Sequence, residues 1–295
     1  MSPIHPLRST PSLRSGVSFR SLRLAAAALS LSVFVQCAGF FGGMGKMLVS
    51  DKDEAKLGAE FNKTLTTNDT AMREMPVFVP RNQAQADMQN YIIGLAKELV
   101  AALPASEKPS YEFTYTLIDK DVENAFAVPG GYVYIYTGIL KKMNDESELM
   151  GVLGHEITHV THHHYREQLA KNATLGIALQ TVLAATDAGQ GSQMAAGAAF
   201  QLAGLKFSRG DESDADRSGT LLLGRVNRNP MGIARFFERA RNAGIPEWLS
   251  THPGNSNRVK AVRKLVNGSP KLKALADQGE ATAYADRYKQ HVSAL

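Results

Sequence analysis

Five histidines fall within ten residues, from His155 to His164, inside the run MGVLGHEITHVTHHH. His155 and His159 are four apart, so on a helix they share a face one turn apart. Glu156 lies between them and completes His-Glu-x-x-His. Two imidazoles at this spacing can hold one zinc ion, and a carboxylate beside the first can take a proton from a metal-activated water. His162 projects to roughly the same side, but about 10 Å along the axis from His155 at about 1.5 Å per residue. Zinc–nitrogen bonds are about 2 Å long, so one ion on a straight helix does not reach all three rings.

The third ligand must therefore come from elsewhere. The metzincin pattern needs glycine at position 162 and histidine at 165; the chain has His162 and Tyr165, which excludes that class. The remaining solution is a carboxylate from a second helix, and SRGDESDADRSG, residues 208–219, offers one. Glu212 and Asp216 are four apart. Glu212 can ligate, and Asp216 can accept a ring N–H from a liganding histidine. His163 and His164 point elsewhere on the same helix, His164 nearly opposite His155, and are expected to be structural or on the surface.

Several elements must position these groups. Residues 145–171 are expected to form one long helix, opened by an Asp145–Glu148 capping pattern. Leu149, Val152, Leu153, Ile157 and Val160 recur at helical spacing and would bury it. Upstream, residues 50–67 open with Ser50 and Asp53 in capping register, and residues 83–103 read as an amphipathic helix stopped by Pro104. YEFTYTLI, residues 111–118, alternates as a half-buried strand does. In VPGGYVYIYTG, residues 128–138, Pro-Gly-Gly marks a turn and YVYIYT a strand. That strand is expected either to take a peptide along an exposed edge or to be an ordinary edge hairpin. Residues 211–226 read as another helix. Residues 173–207 read as a helical hairpin with a flexible tip, in preference to a lid over the site. The whole is expected to be α+β, mainly helical, with a small sheet.

Composition narrows the function. The formal charge is +5, but Arg8, Arg14, Arg20 and Arg23 all precede Cys37, and the rest of the chain carries 29 basic against 28 acidic residues. No basic stripe survives, so nucleic acid is not an expected partner. The arginines and the apolar residues 24–35 instead resemble an export signal, the apolar run being too short to span a membrane comfortably. Cys37, the single cysteine, stands where a bacterial lipoprotein is lipidated, although Phe34 and Gln36 fit that pattern poorly. The expected organisation is a signal peptide over 1–36, a tether over 37–49, a zinc metallopeptidase domain over 50–270 and a C-terminal helical tail over 271–295.

Five blocks in order, SDKDEAKLG, NAFAVPGGYVYIYTGIL, ELMGVLGHEITHV, SRGDESDADRSG and STHPGNSNRVKAV, resemble the HtpX-like family of gluzincin zinc metallopeptidases. The nearest likeness is to its exported bacterial BepA/LoiP-type branch, in the short form without tetratricopeptide repeats. The resemblance implies a zincin-like fold with one zinc per chain on His155, His159 and Glu212. It implies Glu156 as general base and Asp216 as partner of a ligand. It brings the loop around His252 to the site, where His252 would stabilise the oxyanion or be a latent fourth ligand. It implies that Asn124, Gly130 and Gly131 shape the substrate cleft and that Arg258 supports the His252 loop beside it. Members often carry Arg-His where this chain has His163-His164.

The implied function is a zinc endopeptidase of envelope protein quality control. It would act on misfolded or misassembled polypeptides from the periplasmic side of a bacterial envelope, held at the membrane, the outer one favoured, by a lipid anchor or N-terminal segment. The alternative is a zinc-stabilised periplasmic chaperone or binding module with incidental proteolysis. Glu156 argues for the enzyme, since a purely structural site has no use for it and closes its metal with a fourth ligand.

Overall fold

The structure is a computed structural model that describes residues 50–171, 204–242, 247–252 and 256–295. The expected export signal, Cys37, the tether and nearly all of residues 173–207 lie outside the described residues.

Three strands make one mixed sheet: β1 (Thr114–Ile118), β2 (Ala125–Val128) and β3 (Tyr132–Tyr136). Their order is β1-β3-β2, with β1 parallel and β2 antiparallel to β3. YVYIY is therefore the central strand, paired on both sides, and presents no edge to a peptide. This corrects the expectation of an exposed edge there. Alternation cannot tell a central strand from an edge strand when both faces are covered. Here both are. Val133 and Ile135 point into the main core, while Tyr134 and Tyr136 point into a second cluster with Leu57, Phe61 and Leu65 of α1 (Asp51–Thr67). The edges belong to β1 and β2; β2 is buried throughout, and both backbone groups of its Ala127 bond to side chains, the N–H to Glu156 and the carbonyl to the Tyr165 hydroxyl. The turn from β2 to β3 uses Gly130 and Gly131 at φ +84° and +83°, where side chains are strained, and a Cβ on Gly130 would meet the α1 backbone at Glu54 and Ala55.

The motif lies on α5 (Glu146–Thr161), reached through α2 (Asp69–Glu74), α3 (Gln83–Ala101) and α4 (Thr137–Lys142). Every residue of α5 is buried. Asp145 caps it by accepting the Glu148 N–H at 3.0 Å, and Glu148 reaches back to the Asn144 N–H at 2.9 Å. Three acids in this first turn favour the positive end of the helix dipole, but buried charges also need partners. Asp145, Glu146 and Glu148 pair with Arg235, Arg228 and Arg239 respectively, and Arg287 also binds Glu146.

The expected helix over 145–171 is broken. α5 ends at Thr161, His163 takes φ +55°, and α6 (His164–Lys171) restarts. A left-handed non-glycine residue costs on the order of 1 kcal/mol or more and persists only where its surroundings hold it. His163 Nδ1 lies 3.0 Å from Glu54 Oε2 of α1. A partner 109 residues away leaves no trace in local periodicity.

The second acidic helix is α7 (Arg209–Arg225), opened by a Ser208–Asp211 capping box. α5 and α7 meet backbone to backbone at two glycines. A Cβ on Gly154 would lie 3.2 Å from Gly219 Cα, and a Cβ on Gly219 would lie 3.0 Å from His155 N. This approach sets Glu212 and Asp216 opposite the histidines. Gly219→Val is expected to cost about 1–3 kcal/mol by overpacking. Urea denaturation checks this, and an unchanged midpoint would show that the contact is slack. α8 (Gly232–Asn242), α9 (Glu247–Thr251), α10 (Ser256–Asn267), α11 (Pro270–Asp277) and α12 (Ala285–Val292) follow. α12 is tied to the body by Tyr288, whose hydroxyl donates to the Leu140 carbonyl at 2.6 Å.

Candidate metal and active site

Four buried side chains converge: His155 and His159 from α5, Glu212 from α7, and His252 just past α9. One ligand-type atom from each lies within 4.8 Å of all the others. His155 Nε2 is 3.0 Å from His159 Nε2, 3.1 Å from His252 Nδ1 and 3.6 Å from Glu212 Oε2. His159 Nε2 is 3.7 Å from Glu212 Oε1, and His252 Nδ1 is 3.0 Å from the same oxygen. Ligands about 2.0–2.1 Å from one tetrahedral ion stand about 3.3 Å from each other, so the donors have the type and the spacing that zinc requires. Glu212 Oε2 supports the fit. It is buried and paired with Arg258 Nη1 at 2.7 Å, which helps keep the carboxylate charged as a metal ligand must be.

The surroundings prepare these atoms. His155 turns Nδ1 to Asp216 Oδ1 at 3.0 Å, leaving Nε2 for the centre. Arg258 grips both oxygens of Asp216 at 2.6 Å and donates to the His252 carbonyl at 3.3 Å. Burial works against the Asp216 charge, but the bonds from Arg258 and His155 outweigh it and hold its pKa below the ordinary carboxylate value. Burial drives the His159 pKa well below that of a free imidazole, and the neighbouring His155 adds to this, which keeps the ring neutral.

Glu156 is buried beside the cluster. Its Oε1 accepts the Trp248 indole N–H at 2.7 Å, and its Oε2 accepts the Ala127 N–H of β2 at 3.3 Å. His252 Nε2 is 3.4 Å from Oε1. The His252 ring stacks on Trp248 at 4.7 Å and on Phe207 at 5.6 Å.

The sequence matches Peptidase family M48 over residues 85–266. The chain belongs to peptidase family M48. Among M48-related proteins, it is 30% identical over 193 residues to the beta-barrel assembly-enhancing protease of Yersinia pestis, an alignment covering 61% of this chain and 39% of that one. The protein of that name from Escherichia coli K12 is 31% identical over the same shares. The human mitochondrial metalloendopeptidase OMA1 is 27% identical over 176 residues, 55% of this chain and 34% of that one. The chain thus spans about two fifths of the length of the bacterial relatives it matches.

The structure brings His155, Glu156, His159, Glu212, Asp216 and His252 together. Gly130 and Gly131 instead pack on α1 and on residues 111–113. Arg258 is buried and paired with Glu212 and Asp216. Asn124 precedes β2, and its Oδ1 is buried with no hydrogen-bond partner among the described residues. His162 contacts Asp214. His164 is buried, within the expected structural reading, but it does not point away from the site: its Nδ1 lies 2.9 Å from His159 Nδ1, because the turn at His163 folds it back. Sequence reasoning also passed over Phe207 and Trp248. One signal was available for Trp248: it is the only tryptophan in the chain and stands four residues before His252.

Proposed function

We propose that this chain is a zinc endopeptidase with His155, His159 and Glu212 as protein ligands and Glu156 as general base. One observation carries the reading: three buried donors at zinc-like spacing stand beside a buried carboxylate that is not needed to complete them. Bound zinc supplies Lewis acidity, which polarises a scissile carbonyl and acidifies water. Glu156 takes the proton of the attacking water and passes it to the leaving amine. The Trp248 indole N–H holds its Oε1 in register, and the Ala127 N–H holds its Oε2 until a substrate strand takes that donor. Asp216, clamped by Arg258, keeps the His155 Nε2 lone pair inward.

The outer edge of β2, beside Glu156, suits the substrate once the side chains bonded to Ala127 release it. In antiparallel pairing alternate residues turn their backbone groups to the partner strand. The Asn124 carbonyl accepts from Tyr136, so Phe126 and Val128 face β3 and Ala125 and Ala127 face outward. An extended peptide can pair there by backbone hydrogen bonds, without a demand on its sequence. The outward groups of Ala127 are held by Glu156 and the Tyr165 hydroxyl, and His252 closes the ligand cluster. This is a resting form, with His252 as a latent fourth ligand.

The names of the bacterial relatives support clients of β-barrel assembly, and the export-type N-terminus supports a place on the periplasmic side of the envelope, anchored at Cys37. Among the described residues no helix is long and apolar enough to cross a membrane.

Removing the metal tests the reading. 1,10-Phenanthroline should abolish casein cleavage, and stoichiometric zinc should restore it. Because the ion binds the native state, its removal should also lower the melting temperature. At free zinc 1,000 times Kd the lost stability is about 4 kcal/mol. Cleavage that survives complete zinc removal would overturn the proposal.

A further inference from the structure

His159 offers its Nε2 to the metal only if its one ring hydrogen sits on Nδ1. For His155 the matching choice is made by Asp216. His159 has no carboxylate on Nδ1; it faces Nδ1 of His164 at 2.9 Å. A single hydrogen fits between two nitrogens at that distance, and the two placements differ. If His159 holds it, Nε2 is free to ligate. If His164 holds it, the hydrogen of His159 lies on Nε2, pointing at His155 Nε2 only 3.0 Å away.

What decides is the far side of His164. Its Nε2 lies 3.4 Å from Asp214 Oδ2 of α7. The contact is one of charge and not an aligned hydrogen bond, but a carboxylate at that distance favours the ring hydrogen of His164 on Nε2, the side nearer its charge, and so leaves Nδ1 as an acceptor for His159. Asp214 is itself held by His162 Nδ1, and His162 Nε2 lies 3.4 Å from Glu107. The same hydrogen count argues against His162, His164 and Asp214 as a second cation site, because the nitrogen of His164 that faces Asp214 carries the hydrogen.

We infer that His164 and Asp214 are positioning residues for His159, a relay that keeps the His159 Nε2 lone pair aimed into the ligand cluster. The relay exists because the helix breaks. On an unbroken helix position 164 would stand about 140° round from 159, whereas the left-handed turn at His163 brings the ring back beneath it. The inference rests on the reading of His159 as a zinc ligand.

The test is the zinc dissociation constant of the full chain, measured by competition with a chromophoric chelator. His164→Leu keeps bulk but offers no acceptor, and should weaken zinc binding by about 10–100-fold. His164→Asn can place its amide oxygen where Nδ1 was, and should stay within about threefold of wild type. Asp214→Ala should fall between them. A packing role alone would make both His164 variants fail together, in step with their melting temperatures. That result, or a His164→Leu variant that binds zinc as wild type does, would overturn the inference. A wild-type chain that binds no zinc would overturn the metal reading itself, and is recognised before any variant is made.

Discussion

Glu156→Gln should lose casein cleavage by about 10²–10⁴-fold while taking up one zinc as before. The change swaps a carboxylate for an amide of the same shape. The amide oxygen can still accept the Trp248 N–H, so the packing around the indole is kept. The amide cannot hold a proton taken from water, so the attack is no longer assisted and the leaving amine receives nothing. The three proposed ligands are untouched, and zinc content by atomic absorption should match wild type. A variant that cleaves normally with full zinc would remove Glu156 from the chemistry. A variant that loses zinc would place the carboxylate among the ligands. If the variant stops cleaving yet retains the biological activity of the wild-type chain, the chaperone alternative is the better reading.

His252→Ala is expected to raise casein cleavage by about tenfold, the factor that corresponds to a closed form favoured by about 1.4 kcal/mol. Nδ1 of His252 stands at ligand distance from both His155 and Glu212, where a substrate carbonyl or water would otherwise sit. Burial works against its charge, but Glu156 and Glu212 outweigh that and hold its pKa above the ordinary imidazole value. That charge belongs to the metal-free cluster; as a fourth ligand the ring is neutral, and the closed form rests on the place of Nδ1 between His155 and Glu212, which is lost with the ring. A fall in cleavage at unchanged zinc content would instead assign His252 to the oxyanion. Trp248 gives a second readout. The imidazole stacked on it is gone in the variant, so the emission of this single tryptophan should shift to the red as water enters.

Much of the site was legible because its signals are local. The four-residue spacing of His155 and His159, and of Glu212 and Asp216, sets each pair on one helix face whatever surrounds the helix. The Ser50–Asp53 capping pattern is likewise contained within one turn, and its helix begins where it predicts, whereas α7 begins at Arg209, two residues before the expected start at 211. Two other errors share a cause. The break at His163 depends on Glu54, and the central position of β3 depends on β1 and α1 covering both sides of it. Neither partner is close enough in sequence to alter a periodic pattern.

The sequence by itself determined which residues could meet a metal and on which helices they ride. Tertiary structure decided their company. The glycine contact between α5 and α7 faces the acids to the histidines, and the turn at His163 sends His164 to His159. The five residues of α9 bring Trp248 to Glu156 and His252 to His155 and Glu212. The physical reason is range. Helical faces and caps follow from dihedral angles and neighbours within a turn, whereas a ring nitrogen's partner depends on elements crossing within about 3 Å, which only the packed core can arrange.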